Sequence, residues 1–137
     1  MLERLSRLEE NLIQLQRFRD IHSLEDVRGD RHLEWSLRYG LLEAIQIVID
    51  VSCHLVSRDN LGMPASYSEC IELLQRAGYI GDSLARVLVS MIGLRNILVH
   101  EYIHVELESL YGLLDRVDDF KAFMREIAPY LSQGDDT

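Results

Sequence analysis

The chain has 137 residues, the length of one ordinary domain able to bury its own core. Apolar residues make up 47% and charged ones 27%, which argues against disorder, and two prolines with eight glycines exclude a turn-dense all-β or collagen-like chain. The net charge of −9 does not mark a protein that holds nucleic acid by bulk charge.

Leucines at 5, 8, 12 and 15 have a/d spacing and predict a first helix over about Leu2–Arg19. Ser23-Leu-Glu-Asp26 offers a capping signal, and Gly29 interrupts before a long second helix over about Arg31–Ser57. Leu33, Leu37, Leu41, Ile45, Val48 and Leu55 form its stripe. Ile47 and Ile49 lie on the other side, so its second half should be central. Residues 59–64, Asp-Asn-Leu-Gly-Met-Pro, read as a loop. Ser66 and Glu69 form a capping box that opens a short helix ending at Gly78, and Asp82 is a good N-cap for a fourth helix reaching about Val99. Leu107, Leu110, Leu114, Val117, Met124 and Leu131 predict one last helix over about Val105–Leu131, with Lys121 breaking the seam beside Phe120. No strand-like alternation or repeat competes. The expected fold is all-α, an antiparallel four- to five-helix bundle forming a single domain over 1–137, with 132–137 a frayed acidic tail.

Cys53 and Cys70, the only cysteines, stand in no CxxC or zinc spacing and read as small core residues. Met1–Asp20 mixes leucines with four acids and four arginines, unlike a signal peptide, and no apolar run approaches the ~18 residues of a membrane span. A soluble, cytoplasmic protein without a membrane partner is expected. Thirteen of the 14 cations are Arg, the residue suited to bidentate carboxylate or phosphate contacts. Residues 101–137 hold nine acids and three bases, most simply a solvated face.

Chemistry concentrates in residues 93–102, Gly-Leu-Arg-Asn-Ile-Leu-Val-His-Glu-Tyr. At about 100° per residue, Arg95 continues the apolar stripe of Leu84, Leu88 and Met91, where an unpaired guanidinium is costly. It either pairs with a buried acid, for which Glu43 and Asp50 of the second helix are candidates, or lines a cleft. His100, five residues on, points about 140° away. A site shared by Arg95 and His100 therefore needs the helix to end near Val99, or a second copy of the chain. Asn96 and His100, four apart, face each other. A lone His at a helix end also suits a dipole-compensating cap. His100-Glu101-Tyr-Ile-His104 matches the H-E-x-x-H zinc pattern, with Glu126 as an available third ligand, but the pattern is weakly specific and no metal is expected. Phosphate-loop, Rossmann and G-x-S-x-G patterns are absent.

Arg95-Asn96, three apolar residues, His100, one residue and Tyr102 resemble the R-N-x-x-x-H-x-Y signature of HEPN-domain proteins, and among them the HepT-like toxins. The likeness spans about residues 20–130, with Leu42-Glu43-Ala44-Ile45, Ile49-Asp50, Pro64-Ala-Ser-Tyr67, Leu74, Ala77-Gly78 and Gly93-Leu94 in the expected order. The resemblance implies an α-helical homodimer, joined through its central helices, that cleaves RNA without a metal or other cofactor. It assigns His100 to acid–base work on the ribose 2′-hydroxyl or the leaving oxygen, Arg95 to the scissile phosphate, and Asn96 to orienting either. It also implies a minimal nucleotidyltransferase (MNT) antitoxin that adds AMP to Tyr102, placing bulk and negative charge where RNA must sit. The acidic chain would then need an arginine-lined groove, with Arg31, Arg38 and Arg86 as candidates. Two alternatives stand beside this reading: a non-catalytic helical scaffold for such a partner, and a zinc hydrolase.

Overall fold

The computed structural model describes residues 1–100 and 106–131. Its helices are α1 (Leu2–Ile21), α2 (Leu24–Gly29), α3 (Arg31–Arg58), α4 (Tyr67–Arg76), α5 (Asp82–His100), α6 (Leu107–Gly112) and α7 (Val117–Leu131), with a 3-10 turn, Leu113–Arg116, between the last two. The described residues form an all-α bundle, as the apolar periodicity predicts.

α3 is its axis and packs against α1, α2, α4, α5, α6 and α7. Ala44, Ile45, Ile47, Val48, Ile49, Val51, Leu55 and Val56 are all buried, which accounts for a second half that is apolar nearly all round. Leu8, Leu12 and Leu15 of α1 close one side and Phe120 and Phe123 of α7 another. Truncating a fully buried leucine such as Leu41 to Ala is expected to cost about 2–5 kcal/mol. α1 approaches α3 closely at Gly40, where a Cβ would lie 3.0 Å from Leu15 Cδ2.

Several expectations need correction. The last helix is not continuous: the 3-10 turn after Gly112 rotates the chain, so that Phe120, Phe123, Ile127 and Leu131 continue the seam while Met124 is only partly buried. Lys121 is thereby released from the seam. The segment after Ser23 is a helix in its own right, closed by a full capping box with Asp26. Asp82 is the first residue of α5, and its carboxylate accepts from Gln75 Nε2 at 3.0 Å. At α4, Ser66 Oγ accepts from the Glu69 amide, but Glu69 takes the amide of Ala65, so the box is offset by one residue. Cys53 and Cys70 do not stand apart: they form a disulfide joining α3 to α4. α3 and α5 are long and apolar enough to cross a membrane by length and composition, which a search for unbroken apolar runs does not register. α3 is buried over more than half of its apolar stretch, as the central helix of a bundle is, and α5 over about a third. Tyr102, Glu101 and His104, like the tail 132–137, lie outside the described residues.

Candidate active site at the end of α5

α5 presents its apolar residues Leu84, Leu88, Met91 and Ile92 to the core, and Arg95 follows on the same stripe. The guanidinium is partly buried between α3 and α4. Neither predicted acid is its partner. Arg95 Nη2 donates to Gln46 Oε1 at 3.0 Å and Nη1 to Asn96 Oδ1 at 3.1 Å. Its Cζ lies 5.3 Å from the ring centroid of Tyr67, a cation–π contact. Asp50 is one step removed, accepting from Gln46 Nε2 at 2.9 Å. Glu43 instead accepts from Arg7 Nε at 2.8 Å. Hydrogen bonds from Arg7 and then Tyr39 hold its carboxyl below the usual carboxylate range.

The bulk of the site's surroundings is open and apolar. Tyr39, Leu42, Glu43, Gln46, Arg95 and Val99 line a cleft of about 330 Å³. Of its lining Tyr39 and Val99 are 66% and 42% exposed, and Trp35, one turn before Tyr39 on α3, is 53% exposed.

α5 continues as an unbroken helix through His100, which is its last residue and exposed. The described helix thus ends one residue past the expected Val99, with both Arg95 and His100 on it. The imidazole stands about 140° round the helix from the guanidinium, on the side of Asn96. Among the described residues no hydrogen bond links His100 to Arg95 or Asn96. A basic residue in the last turn also suits the helix dipole.

Among the described residues no three His, Cys, Asp or Glu side chains converge as a metal site. Glu126 cannot serve beside His100: it accepts from the Gly81 amide at 2.8 Å, just before the start of α5, and the helix separates the two by about 28 Å. The candidate RNA-binding arginines also divide. Arg31 lies over Trp35 and Arg38 pairs with Glu34 at 2.9 Å. Arg86 lines a second cleft, of about 390 Å³, with Ser83, Ser90 and Arg116. Gln46 and Tyr67, which hold Arg95, were not singled out as site residues in the sequence. The available signal for Gln46 was a polar residue between Ile45 and Ile47, one turn before Asp50.

Residues 8–127 match the family described as Ribonuclease HepT-like. The chain belongs to that family. Among its HepT-like relatives, the mRNA nuclease HepT of Shewanella oneidensis is 30% identical over 98 residues, covering 71% of this chain and 74% of that one. The fold is similar to that of the tri-AMPylated S. oneidensis HEPN toxin solved in complex with MNT antitoxin. That match has a TM-score of 0.85 and 25% identity, over 93% of this chain and 96% of the other. YutE of Bacillus subtilis, a cytosolic protein of unknown function, shares the fold at a TM-score of 0.83 and 18% identity, over 98% and 90% of the two chains. The HepT-like assignment thus agrees with the resemblance read at 93–102, and it places the chain among ribonucleases.

Proposed function

We propose that this HepT-like chain is the toxin of a cytoplasmic toxin–antitoxin pair. In this reading it is a metal-independent endoribonuclease whose active site forms between two copies of the chain, and an MNT antitoxin silences it by AMP transfer to Tyr102. The observation that carries the reading is the divergence of Arg95 and His100 on one unbroken helix. A second copy packed through α3 and the end of α5 would cover the exposed Trp35, Tyr39 and Val99 and bring its own Arg95 and His100 to the seam.

Such a seam holds two imidazoles and two guanidiniums. One His100 takes the proton of a ribose 2′-hydroxyl as its oxygen attacks phosphorus. Now protonated, the same imidazole gives that proton to the departing 5′-oxygen, leaving a cyclic phosphate. Arg95 stabilises the charge that builds on the phosphoryl oxygens, and Asn96 steadies the guanidinium through its Oδ1. The cleft of Arg86, with Arg116 beside it paired to Asp119 at 3.6 Å, offers the RNA backbone cations on a chain of net charge −9. In support of silencing, the S. oneidensis toxin of similar fold is AMPylated and bound to MNT antitoxin, and Tyr102 here stands in the H-x-Y part of the resemblance at 93–102.

Expression without an antitoxin tests the activity. Wild-type protein is expected to arrest growth and to cut RNA in the presence of a chelator, and Arg95→Ala or His100→Ala to do neither. Equal harm from the variants, with RNA left whole, would leave the scaffold reading. Loss of cleavage on chelation would restore the zinc reading. Co-expression with an MNT partner is expected to add whole AMP units to the peptide containing Tyr102, and Tyr102→Phe to stay unmodified.

A further inference from the structure

Arginine only donates hydrogen bonds and an ionised carboxylate only accepts them. Gln46 lies between the two and has a single amide orientation that satisfies both: Oε1 toward Arg95 at 3.0 Å, Nε2 toward Asp50 at 2.9 Å. Arg95's other acceptor, Asn96 Oδ1, is also an amide oxygen, and the face of Tyr67 is uncharged. Among the described residues, every contact that fixes this guanidinium is therefore neutral. The carboxylates close by are engaged elsewhere: Glu43 lines the same cleft but is held by Arg7 from α1, and Asp50 is occupied by the Gln46 amide.

We infer that Gln46 is a positioning residue that fixes Arg95 while insulating it from Asp50, so that the full positive charge of the guanidinium remains for a phosphodiester. This rests on the ribonuclease reading and adds to it the reason for an amide at this position. A carboxylate at 46 would bind Arg95 through charge-assisted hydrogen bonds, shorter and roughly twice as strong as those to an amide. Incoming RNA would then have to displace an ion pair. A purely structural role makes the reverse demand, because any good acceptor, charged or not, would hold the side chain.

Two substitutions of similar length separate these demands. Gln46→Glu keeps the acceptor and adds charge; Gln46→Met removes the acceptor and adds none; both withdraw the donor from Asp50. With purified full-length protein and a fluorogenic RNA, Gln46→Glu is expected to lose about tenfold or more in kcat/KM. It should fall below Gln46→Met in kcat/KM, although both variants lose the hydrogen bond to Asp50. In a His100→Ala background, where RNA is bound but not cut, Gln46→Glu should also flatten the salt dependence of binding by roughly 0.7 per neutralised arginine. If Gln46→Glu does not fold, Asn96→Asp places the same charge on the exposed side of Arg95 and should show the same loss and flattening. Gln46→Met falling below Gln46→Glu, or both matching an active wild type, overturns the insulating role alone. Wild-type protein that neither binds nor cuts RNA overturns the ribonuclease reading and this inference with it.

Discussion

Tyr67 lies over the guanidinium of Arg95, its ring centroid 5.3 Å from Cζ, because it is the first residue of α4 and Ser66 caps that helix immediately before it. The contact is half exposed, a setting in which a cation–π pair contributes about 0.5–1 kcal/mol. Tyr67→Ala is therefore expected to lower RNA cleavage by about two- to fivefold, since 1.36 kcal/mol is a factor of ten. Tyr67→Phe, which keeps the ring, should stay near wild type. Steady-state kinetics on the two variants decide it: if Phe loses as much as Ala, the hydroxyl and not the ring matters.

A site shared between subunits makes a prediction about mixtures. Arg95→Ala and His100→Ala chains are each expected to be inactive alone. If each site takes its arginine from one copy and its histidine from the other, half the dimers in a re-equilibrated equimolar mixture are mixed, and each has one intact site. Cleavage should recover to about a quarter of the wild-type rate. If both groups come from one chain, mixing restores nothing. The recovered rate, measured against wild type at equal protein, therefore reports the geometry of the site.

The bundle was legible because its signals are local. Leu8, Leu12 and Leu15 repeat at helix spacing and are buried, and the all-round apolar second half of α3 is the centre of the fold. The phase change in the last helix was less visible: Leu107, Leu110 and Leu114 run into Val117 and Leu131 as if one seam continued. Only Gly112 and the pair Phe120 and Phe123 hint at the turn. The cation at 95 and its approximate surroundings could be read from a helical wheel. Its partners could not, because Gln46, Tyr67 and Asn96 compete with two acids for the same guanidinium, and packing of α3, α4 and α5 decides among them. The Cys53–Cys70 contact was hidden for the same reason: no spacing motif encodes a crossing between two helices.

That crossing can be measured. The disulfide closes a loop with a sequence separation of 17, for which the chain-entropy account gives about 3 kcal/mol of stabilisation. Under oxidising conditions the protein is expected to melt on the order of 10 °C higher than after reduction by a dithiol. A Cys53→Ala/Cys70→Ala variant should match the reduced form in either condition. Cys70 is three residues beyond Tyr67 and Cys53 seven beyond Gln46, so reduction also loosens the two helices that hold Arg95. Cleavage by the reduced protein should show a higher KM. Identical melting with and without reductant would mean that the packing of α4 on α3 alone sets the distance.

A separate polar lock closes the side of the bundle formed by α3, α4 and α7, and it sets an alkaline limit on stability. Tyr79 Oη donates to Asp59 Oδ2 at 2.6 Å, Arg58 Nε donates to the same carboxylate at 2.8 Å, and the Tyr79 ring stacks on Tyr130 at 3.8 Å. The hydrogen bond to Asp59, followed by burial, pushes the Tyr79 phenol from 10.0 up to about 12. The folded state thus holds this proton more tightly than the unfolded chain does. The resulting stabilisation is whole below about 10 and is lost as pH rises through about 12. Asp59 acts with the opposite sign. Arg58, then Tyr79, depress its carboxyl below the ordinary 3.8, so its contribution is present above that value and disappears as pH falls through the lowered one. Tyr39 is shifted upward as well, through Glu43, so wild type alone would mix two phenols. The measurement is therefore the difference in denaturation midpoint between wild type and Tyr79→Phe across the alkaline range. Wild type should be the more stable at neutral pH, and the gap should close as pH climbs from about 10 to about 12. A gap that stays constant would show that the Tyr79 hydroxyl contributes nothing through its proton.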